Sequence, residues 1–472
     1  MDKLEELFVS YTGRKPDTCI RIAQSGSNRR YCRFLLDGKS YIGATGTDSD
    51  ENHAFITIAN HFMFKGIRVP KILAVSDDEL RYIQEDFGDS ILYERVSHGR
   101  AAGVYSDDEE VLLRRAMAAL PKIQFEGADG LDFSVCYPDR EFNARMVDFD
   151  LNYFKYCFLK NSGVEFNEVK LQDDFDALKT DLLKEESDTF MYRDFQARNV
   201  MLDADGQPCF IDFQGGRKGP VYYDVASFVW QAKSRYPEDL KRRLIDSYLG
   251  ALSSYIDVER DVFMEKLRRF VLFRTLQVLG AYGFRGLVEK KAHFMESIPY
   301  AIANLEELLR TPFTEYPYLN GVLSGLVSAL TPEKKEEDGL LEVHVISFSF
   351  KKGLPEDRSG NGGGYIFDCR YVHNPGRYEK YRRLTGLDKE VQDFLEQDGE
   401  IYEFLKHVFS LVDAHVDCYT GRGFTHLQVA FGCTGGQHRS AYSAQKLAEH
   451  LAGRPGVKVH LTHRELGIDR ML

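Results

Sequence analysis

Two apolar runs within residues 200–211 are joined by Asp205-Gly206, a pattern that predicts a β-hairpin. The hairpin would place Asn199, directly before its first strand, beside Asp212, directly after its second strand. Asp194 lies on the loop that leads into the hairpin. Phosphoryl transfer needs a carboxylate that receives the proton of the attacking hydroxyl, and oxygen ligands that hold Mg²⁺ on the nucleotide phosphates. The sequence therefore predicts a phosphotransfer site at this hairpin.

The spacing of these residues is typical of the protein-kinase-like fold. In that fold an Asp-x₄-Asn motif precedes a hairpin, and a second Asp-Phe pair follows it. Asp and Asn also cap ordinary turns, so the Asp194–Asn199 spacing alone would carry little weight. Here Arg193-Asp194, Asn199, the hairpin and Ile211-Asp212-Phe213 occur in order behind a β-rich segment. The combination favours a kinase over the alternative that these Asp and Asn side chains only cap turns.

Hydrophobic periodicity indicates how the chain is organised. Five strands and one helix (Asn52–Phe64) are expected in the first 85 residues, at Ile20–Ala23, Tyr31–Leu36, Lys39–Ala44, Val69–Val75 and Leu80–Glu85. Helical segments follow, at Phe175–Glu186, Leu240–Ser254, Val262–Leu279 and His293–Leu309. The charged stretch Thr331–Gly339 reads as a linker before a second set of strands and helices. We expect an α+β bilobal protein-kinase-like domain (1–328), a linker (329–341) and a smaller α/β domain (342–472).

Composition limits the classes of function. The 472 residues include 61 basic and 73 acidic side chains, which gives a net charge of −12. Residues 339–472 hold 17 of each kind, so the whole net charge lies in the front part, residues 1–338. An acidic front part disfavours non-specific nucleic-acid binding there. The eight cysteines form no CxxC pair, the N-terminus does not read as a signal peptide, and no apolar run is long enough to span a membrane; Arg274 interrupts the best candidate. We expect a cytoplasmic protein with reduced thiols and no membrane partner.

Residues 1 to about 325 resemble the aminoglycoside-phosphotransferase superfamily of small-molecule kinases. The segments RDFQARNVML and IDFQ…GPVYYDVAS are most similar to bacterial kinases that phosphorylate N-acetylmuramate and N-acetylglucosamine at the anomeric position. The resemblance implies that Asp194 is the catalytic base, that Asn199 and Asp212 hold Mg²⁺, and that Asp224 supports the loop structurally. It also implies a nucleotide cofactor, ATP or GTP, and an amino-sugar substrate.

The nucleotide end is less regular than the catalytic end. A polar turn between the first two predicted strands could cover phosphates with its backbone amides and a basic side chain; its residues are Ser25, Gly26, Ser27, Asn28 and Arg30. The lysine usual on the third strand is absent, since Tyr41–Ala44 occupies its place, and the anomeric sugar kinases are similarly deficient. Glu85 lies at the end of the fifth strand, where the superfamily offers backbone groups to adenine.

A second concentrated signal is a glycine-rich turn between a predicted strand and a helix that begins at Ser440. Free amides, the positive end of the helix dipole and basic side chains together predict an anion site; its residues are Thr434, Gly435, Gly436, His438, Arg439 and Ser440. Two alternatives remain. The glycines could merely permit a tight turn, or the Cys433-x₅-Arg439 spacing could belong to a cysteine phosphatase.

Residues 343 to about 467 resemble the C-terminal domain of the RNase-adapter protein RapZ. The matching segments are Phe350–Pro355, Phe367–Tyr371, Asn374-Pro375, Thr385–Asp388 and GCTGGQHRS. The resemblance implies an amino-sugar phosphate ligand, with Arg370 and Asn374 near it, and RNA as a partner. Gly376 replaces a ligand-side histidine of that family. The tail His463–Gly467 lacks a Lys/Arg cluster, which disfavours RNA binding without excluding it.

Together these features predict a kinase that phosphorylates a cell-wall amino sugar, in cell-wall recycling, and that carries a regulatory sugar-phosphate-binding domain. A second interpretation is a non-catalytic RapZ-like adapter, linked to nucleotide or RNA, in which the kinase lobe is degenerate. The missing third-strand lysine is its best support. A third is phosphatase activity of the C-terminal domain.

Overall fold

The computed structural model describes residues 3–22, 29–331, 340–357 and 364–472. The chain divides into two units, Met1–Pro332 and Glu333–Leu472, which are described separately below. Four residues of the predicted phosphate-covering turn (Ser25, Gly26, Ser27 and Asn28) lie outside the described residues, and so does most of the predicted linker, from Pro332 to Gly339.

An antiparallel five-stranded sheet forms the N-terminal lobe of the first unit. Its strands follow the order β1-β2-β3-β5-β4 and are β1 (Thr18–Ile22), β2 (Arg30–Leu36), β3 (Lys39–Thr45), β4 (Ile72–Val75) and β5 (Arg81–Glu85). Helix α1 (Lys3–Thr12) packs on one face through Leu4 and Phe8. Helix α2 (Ser49–Phe64) covers the other face. The predicted five strands and one helix are confirmed, with ends that differ by up to three residues.

The hairpin between β2 and β3 follows from its two-residue turn. Leu36 pairs with Lys39, and Asp37 and Gly38 between them have φ values of 51° and 74°. Asp and Gly tolerate this left-handed conformation better than other residues, and a turn of this kind matches the twist of the flanking strands.

One disulfide corrects an expectation drawn from the sequence. Cys19 of β1 and Cys32 of β2 are bonded, with their Cα atoms 6.3 Å apart. Antiparallel pairing places Arg21 opposite Cys32, and so brings Cys19 to a neighbouring position on the adjacent strand. The expectation of reduced thiols is therefore wrong for this pair. The remaining cysteines, all within described residues, are free.

The rest of the first unit is mainly helical. Its helices are α3 (Leu92–Arg95), α4 (Ser97–Ala102), α5 (Asp107–Phe125), α6 (Ala144–Cys157), α7 (Glu168–Leu183), α8 (Tyr222–Val229), α9 (Glu238–Leu252), α10 (Arg260–Tyr282), α11 (Ala292–Met295), α12 (Ile298–Leu309) and α13 (Pro317–Leu330). Two short antiparallel pairs lie among them, β6 (Thr189–Met191) with β9 (Arg217–Gly219), and β7 (Val200–Leu202) with β8 (Pro208–Phe210). The single helix predicted over 293–309 is two helices, because Pro299 begins a new one at α12.

Aromatic packing joins the two lobes of this unit. The ring of Phe213, just past β8, stacks on Phe55 of α2 with centroids 4.9 Å apart, and it also contacts Phe62 at 5.4 Å. All three side chains are at most 3% exposed. Buried aromatic pairs of this kind contribute about 0.5–1.5 kcal/mol beyond the burial of their area. Helix α2 is thereby fixed against the segment that carries Asp212.

The second unit is an α/β domain built on a five-stranded mixed sheet. Its sheet follows the order β11-β12-β10-β13-β14, and its elements are β10 (Leu341–Ser349), β11 (Tyr365–Asp368), α14 (Lys389–Gln397), α15 (Glu400–Gly421), β12 (His426–Cys433), α16 (Arg439–Leu451), β13 (Val457–His463) and β14 (Ile468–Met471). All neighbouring strands are parallel except β13 and β14. The predicted smaller α/β domain is confirmed. Parallel strands are typically buried on both faces, and β12 is buried along almost its whole length.

No helix among the described residues is long and apolar enough to cross a lipid bilayer.

Candidate functional site

The predicted hairpin around Asp205-Gly206 is present. Strands β7 and β8 pair through Val200 with Phe210 and through Leu202 with Pro208. The carboxylate of Asp203 accepts the backbone N–H groups of Asp205 and Gln207 at 3.0 and 2.8 Å, which closes the turn. A short strand pair with a tightly bonded turn gives the residues at its open end fixed positions.

The open end of the hairpin brings the three predicted phosphotransfer residues together. The side-chain amide of Asn199 donates to the backbone carbonyl of Asp194 at 2.8 Å, and the backbone carbonyl of Asn199 accepts from Ile211 at 3.1 Å. Asp194 is half exposed, whereas Asn199 is buried. Because the Asn199 nitrogen is committed to the loop, its Oδ1 atom is the group left for a ligand.

Asp212 occupies a position that favours a cation. Burial raises the pKa of its carboxyl above the ordinary value, and the nearby Asp194 raises it further, while the amide of Gln214 and the cations Arg29 and Arg198 act in the opposite direction. Gln214 Nε2 donates to Asp212 Oδ1 at 2.9 Å. A buried carboxylate close to a second carboxylate is stabilised by a bound metal ion.

The donor atoms at this site fit Mg²⁺. They are the free carboxylate oxygen of Asp212, Oδ1 of Asn199 and Oε1 of Gln214, which is buried and has no hydrogen-bond partner among the described residues. Mg²⁺ prefers hard oxygen ligands and usually shares its coordination between one or two protein groups, substrate phosphates and water. In the part of the chain that the structure describes, no cluster of three His, Cys, Asp or Glu side chains is suited to a metal.

Asp224 shapes the loop that carries Asp194. Its carboxylate is fully buried in α8 and accepts the backbone N–H groups of Tyr192 and Arg193 at 2.7 and 2.8 Å. Arg193 has a φ of 73°, an uncommon value for a residue with a side chain. The two hydrogen bonds hold this conformation and so fix where Asp194 points. The structural role predicted for Asp224 agrees with this geometry.

Sequence reasoning missed an arginine beside the predicted base. Arg274 of α10 is 9% exposed, and its Nη2 atom lies 3.8 Å from Asp194 Oδ1, while its Nε donates to Ser227 Oγ at 3.3 Å. Asp150, also buried, accepts from Gln277 at 2.8 Å, and burial raises its pKa to about 6 in spite of the surrounding arginines. The signal for Arg274 was present, because it is the charge that interrupts the apolar run of α10.

On the nucleotide side, the buried cation is Arg29 rather than Arg30. Arg30 is exposed at the start of β2, whereas Arg29 is 2% exposed. Neighbouring residues of an extended chain point to opposite faces, so the two side chains diverge. The sequence offered no means of choosing between adjacent arginines.

Glu85 is less available to adenine than its sequence position suggests. Its backbone N–H donates to the carbonyl of Lys71 at 2.9 Å, and its carboxylate lies 3.5 Å from the guanidinium of Arg68. Any backbone contact from Glu85 to a nucleotide base would therefore be made through its carbonyl oxygen.

In the second unit, the glycine-rich loop after β12 closes around a thiol. Cys433 Sγ lies 3.1 Å from Ser440 Oγ and accepts the backbone N–H of Gly436 at 3.2 Å. Gly436 has a φ of 73°, and a Cβ there would come within 2.3 Å of Glu465 and 2.9 Å of the Ser349 backbone nitrogen. Only glycine fits this position.

Arg439 does not point freely into the loop. It is 4% exposed, and its Nη1 donates to the carbonyls of Arg370 and Val372 at 3.0 and 2.8 Å; its buried Nε has no partner among the described residues. Its Nη1 donors thus bind the neighbouring turn, which leaves Nε as a buried donor for the anion predicted from the sequence. His438 is also engaged, with Nε2 3.0 Å from the Tyr381 carbonyl.

Other predicted residues of this region border the loop in different ways. Thr434 and Gly435 are exposed at its tip. The side chain of Arg370 pairs with Asp368 at 2.6 Å, and Asn374 Oδ1 accepts from the backbone of Gly376 at 3.2 Å. The groups left for a ligand are therefore the loop amides, the exposed side chains and Nε of Arg439.

Family comparisons agree with this division into two sites. The model of the phosphotransferase enzyme family matches residues 18–260, just over half of the chain. The chain belongs to the phosphotransferase enzyme family. The RapZ C-terminal domain model matches residues 341–467. The family match contains Asp194, Asn199 and Asp212, so the first unit of this phosphotransferase-family protein is kinase-like.

The curated relatives of this phosphotransferase-family protein are described as nucleotide-binding proteins. One from Glaesserella parasuis is 28% identical over 222 residues, which cover 47% of the chain and 71% of that protein. Relatives from Fervidobacterium nodosum and Ruegeria sp. are 37% and 40% identical and cover 28% and 27% of the chain. The chain spans 45% and 40% of the length of these two relatives.

Solved structures similar to the chain are aminoglycoside phosphotransferases. A putative aminoglycoside phosphotransferase from Ralstonia eutropha is 11% identical with a TM-score of 0.45 and covers 68% of this chain and 98% of its own. The gentamicin complex of APH(2″)-IIa is 13% identical with a TM-score of 0.44, and the match covers 67% of this chain and 98% of that structure's chain.

Proposed function

We propose that the first unit transfers the γ-phosphoryl group of ATP, or of GTP, to a hydroxyl of a cell-wall amino sugar of the N-acetylmuramate or N-acetylglucosamine type, at the anomeric position. The observation that carries the proposal is the assembly of Asp194, Asn199 and Asp212 at the open end of one hairpin. The adapter interpretation does not require these three residues to converge.

The proposed mechanism assigns a separate task to each group. Asp194, half exposed at the rim, accepts the proton of the attacking sugar hydroxyl. Asn199 and Asp212 would hold Mg²⁺, which when bound neutralises charge on the nucleotide phosphates. Arg274 restrains the Asp194 carboxylate from the side of the helical lobe. Positioning and electrostatic stabilisation are the main contributions that a protein makes to phosphoryl transfer.

The surroundings of Asp194 support an acceptor that is not cationic. A small cavity next to it is lined by Arg198 and Arg274, by polar side chains that include Gln231 and Asn304, and by no carboxylate. A polycationic aminoglycoside would meet like charge there, whereas a neutral or anionic amino sugar would find hydrogen-bond donors.

The test is an acceptor panel that separates hydroxyl positions. The purified protein is incubated with Mg²⁺, ATP or GTP, and N-acetylglucosamine, N-acetylmuramate, the methyl glycoside of N-acetylglucosamine, or an aminoglycoside, and products are followed by phosphorus NMR. The methyl glycoside lacks a free anomeric hydroxyl, so a C1 kinase leaves it unmodified and a C6 kinase does not. We expect Asp194→Asn to lower turnover by about 10²–10⁴. Full turnover by that variant, or no acceptor-dependent nucleotide consumption by the wild type, would contradict the proposal.

For the second unit we propose binding of an amino-sugar phosphate, with a regulatory role, supported by the match to the RapZ C-terminal domain and by the loop amides at the start of α16. RNA as a partner remains an untested expectation. Calorimetric titration of the full chain with glucosamine 6-phosphate, with glucosamine as the uncharged control, tests the ligand. Saturable binding of the phosphate alone is expected.

The cysteine-phosphatase alternative keeps one supporting observation in the surroundings of Cys433. The backbone N–H of Gly436 donates to its Sγ atom and Ser440 Oγ lies 3.1 Å away, so both groups could stabilise a thiolate. The binding of Arg439 Nη1 to two backbone carbonyls opposes it, because it removes part of the donor fork that would hold the phosphate. We expect the full chain not to hydrolyse an aryl phosphate. Hydrolysis that Cys433→Ser abolishes would replace the sensor proposal with a phosphatase.

A further inference from the structure

The third strand of the N-terminal sheet lacks a lysine at the position where a phosphate-binding lysine would be expected. Ala44 lies on the face of β3 that packs against α2, paired with Tyr31 of β2 on one side and Tyr82 of β5 on the other. Its methyl group carries no charge and reaches no ligand. Lys39, the cation of this strand, is exposed beside the turn, five residues away.

Arg29 supplies a cation on the same face from a different direction. It lies two residues before Tyr31, so strand alternation points both side chains to the side of Ala44. Its guanidinium is 2% exposed, lies 3.4 Å from the Glu51 carboxylate and donates to the Glu51 carbonyl at 3.1 Å. It also sits over the ring of Phe55, 5.5 Å from the centroid.

The position of Arg29 relies on α2. Glu51 is in the first turn of this helix, which Asp48 caps by accepting the backbone N–H groups of Asp50 and Glu51. Phe55 follows one turn later on the same helix and stacks on Phe213. The guanidinium is also close enough to Asp212 to oppose the rise in the pKa of that carboxyl. Arg29 therefore contacts the helix that orients it and lies near the carboxylate proposed to hold the metal.

We propose that Arg29, held by Glu51, binds a phosphate of the nucleotide and replaces the absent third-strand lysine. The inference rests on the proposed kinase function. A planar guanidinium suits this task, because it donates two parallel hydrogen bonds to phosphate while another edge keeps its carboxylate partner. The absence of the lysine is then no longer an argument that the kinase lobe is degenerate, because Arg29, directly before β2, supplies the positive charge.

The experiment compares Arg29→Met, Arg29→Lys and Glu51→Gln with Lys39→Met, which removes an exposed cation from the same sheet. Binding of Mg²⁺-ATP is measured on the full chain by displacement of a fluorescent ATP analogue, and KM for ATP and kcat are measured with the best acceptor. We expect Arg29→Met to weaken nucleotide binding by about 10- to 100-fold, the range of a charge-assisted hydrogen bond. Arg29→Lys should recover part of the loss, Glu51→Gln should raise KM for ATP more than it lowers kcat, and Lys39→Met should match the wild type.

The outcomes separate the two proposals. If the wild type binds Mg²⁺-ATP and phosphorylates a sugar while Arg29→Met retains the affinity and KM of the wild type, the role of Arg29 is refuted and the kinase stands. If the wild type binds no nucleotide, the kinase proposal fails and the role of Arg29 fails with it. Thermal unfolding checks each variant. Should Arg29→Met not fold, unchanged KM values for ATP in both Arg29→Lys and Glu51→Gln would refute the inference.

Discussion

The two hydrogen bonds of Asp224 allow a quantitative prediction for Asp224→Asn. An asparagine keeps one acceptor oxygen but turns an amide N–H₂ toward the second backbone N–H, so either Tyr192 or Arg193 loses its acceptor. A hydrogen bond to a charged group contributes about 1.5–3 kcal/mol, and a buried donor without a partner costs about 1–3 kcal/mol. Burial raises the pKa of Asp224 to about 7, which shows that the charged form is itself costly, and the neutral amide recovers part of the loss.

We therefore expect Asp224→Asn to lower the free energy of unfolding by about 2 kcal/mol, which for a unit of this size corresponds to a fall in Tm of roughly 3 °C. The effect on kcat should be larger, about 10²-fold, because the freed loop carries Asp194 and small displacements of a reacting group are costly. KM for ATP should change little, since Asp212 and Arg29 lie on other segments. Differential scanning fluorimetry and steady-state kinetics measure these quantities.

Asp205→Asn is the matched control. Asp205 is exposed at the hairpin tip, and an Asn-Gly turn is as favourable as Asp-Gly, so Tm and kcat should equal those of the wild type. An Asp224→Asn protein with unchanged Tm and kcat would refute the argument that this carboxylate fixes the catalytic loop.

Three further predictions concern other groups. Asp212→Asn should weaken Mg²⁺-dependent ATP binding itself, measured by titration with and without Mg²⁺; equal affinities would argue against a metal role. Arg439→Met should leave the carbonyls of Arg370 and Val372 without their donor and lower the unfolding free energy of the second unit by about 2–3 kcal/mol in urea titrations, whereas an unchanged midpoint would indicate that the pairing is incidental. Burial lowers the pKa of His463 to about 4, so below pH 6.5 the unfolded state binds a proton that the folded state excludes. The contribution of His463 to stability should be full above pH 6.5 and fall by about 2 kcal/mol between pH 7 and pH 5, and His344, whose pKa burial also lowers to about 4, should add a similar fall. His463→Gln should reduce that dependence by about half, and an equally steep dependence in the variant would assign it to other groups.

The sequence predicted the hairpin of the candidate phosphotransfer site well because its signals are local. The hairpin strands alternate around an Asp-Gly turn, and the fixed spacing of Asp194, Asn199 and Asp212 turns one hairpin into one site. The N-terminal sheet was predicted for the same reason, since strands, turns and helix α2 follow one another along the chain. The predicted ends of strands and helices differ from the observed ends where tertiary packing sets them. Strand β4, for example, begins at Ile72 rather than Val69.

Features that depend on distant pairing were not predictable. Arg29 and Arg30 are equivalent in sequence, and only the meeting of β2 with α2 distinguishes them. Arg439 was predicted to bind an anion because it follows a glycine-rich turn, and the sequence did not reveal that the turn after β11 provides two carbonyls for its Nη1 atom. The bond between Cys19 and Cys32 depends on the register of β1 and β2, which the spacing of the cysteines does not reveal.

The stack of Phe55 on Phe213 links two parts of the proposed phosphate site. Phe55 shares α2 with Glu51, which holds Arg29, and Phe213 follows Asp212 directly. The residue that orients the cation and the residue proposed to face the metal are thus connected through two aromatic rings rather than along the chain. A tilt of α2 would therefore shift Glu51 and the Asp212 segment together and preserve the spacing between the positive and negative ends of the site.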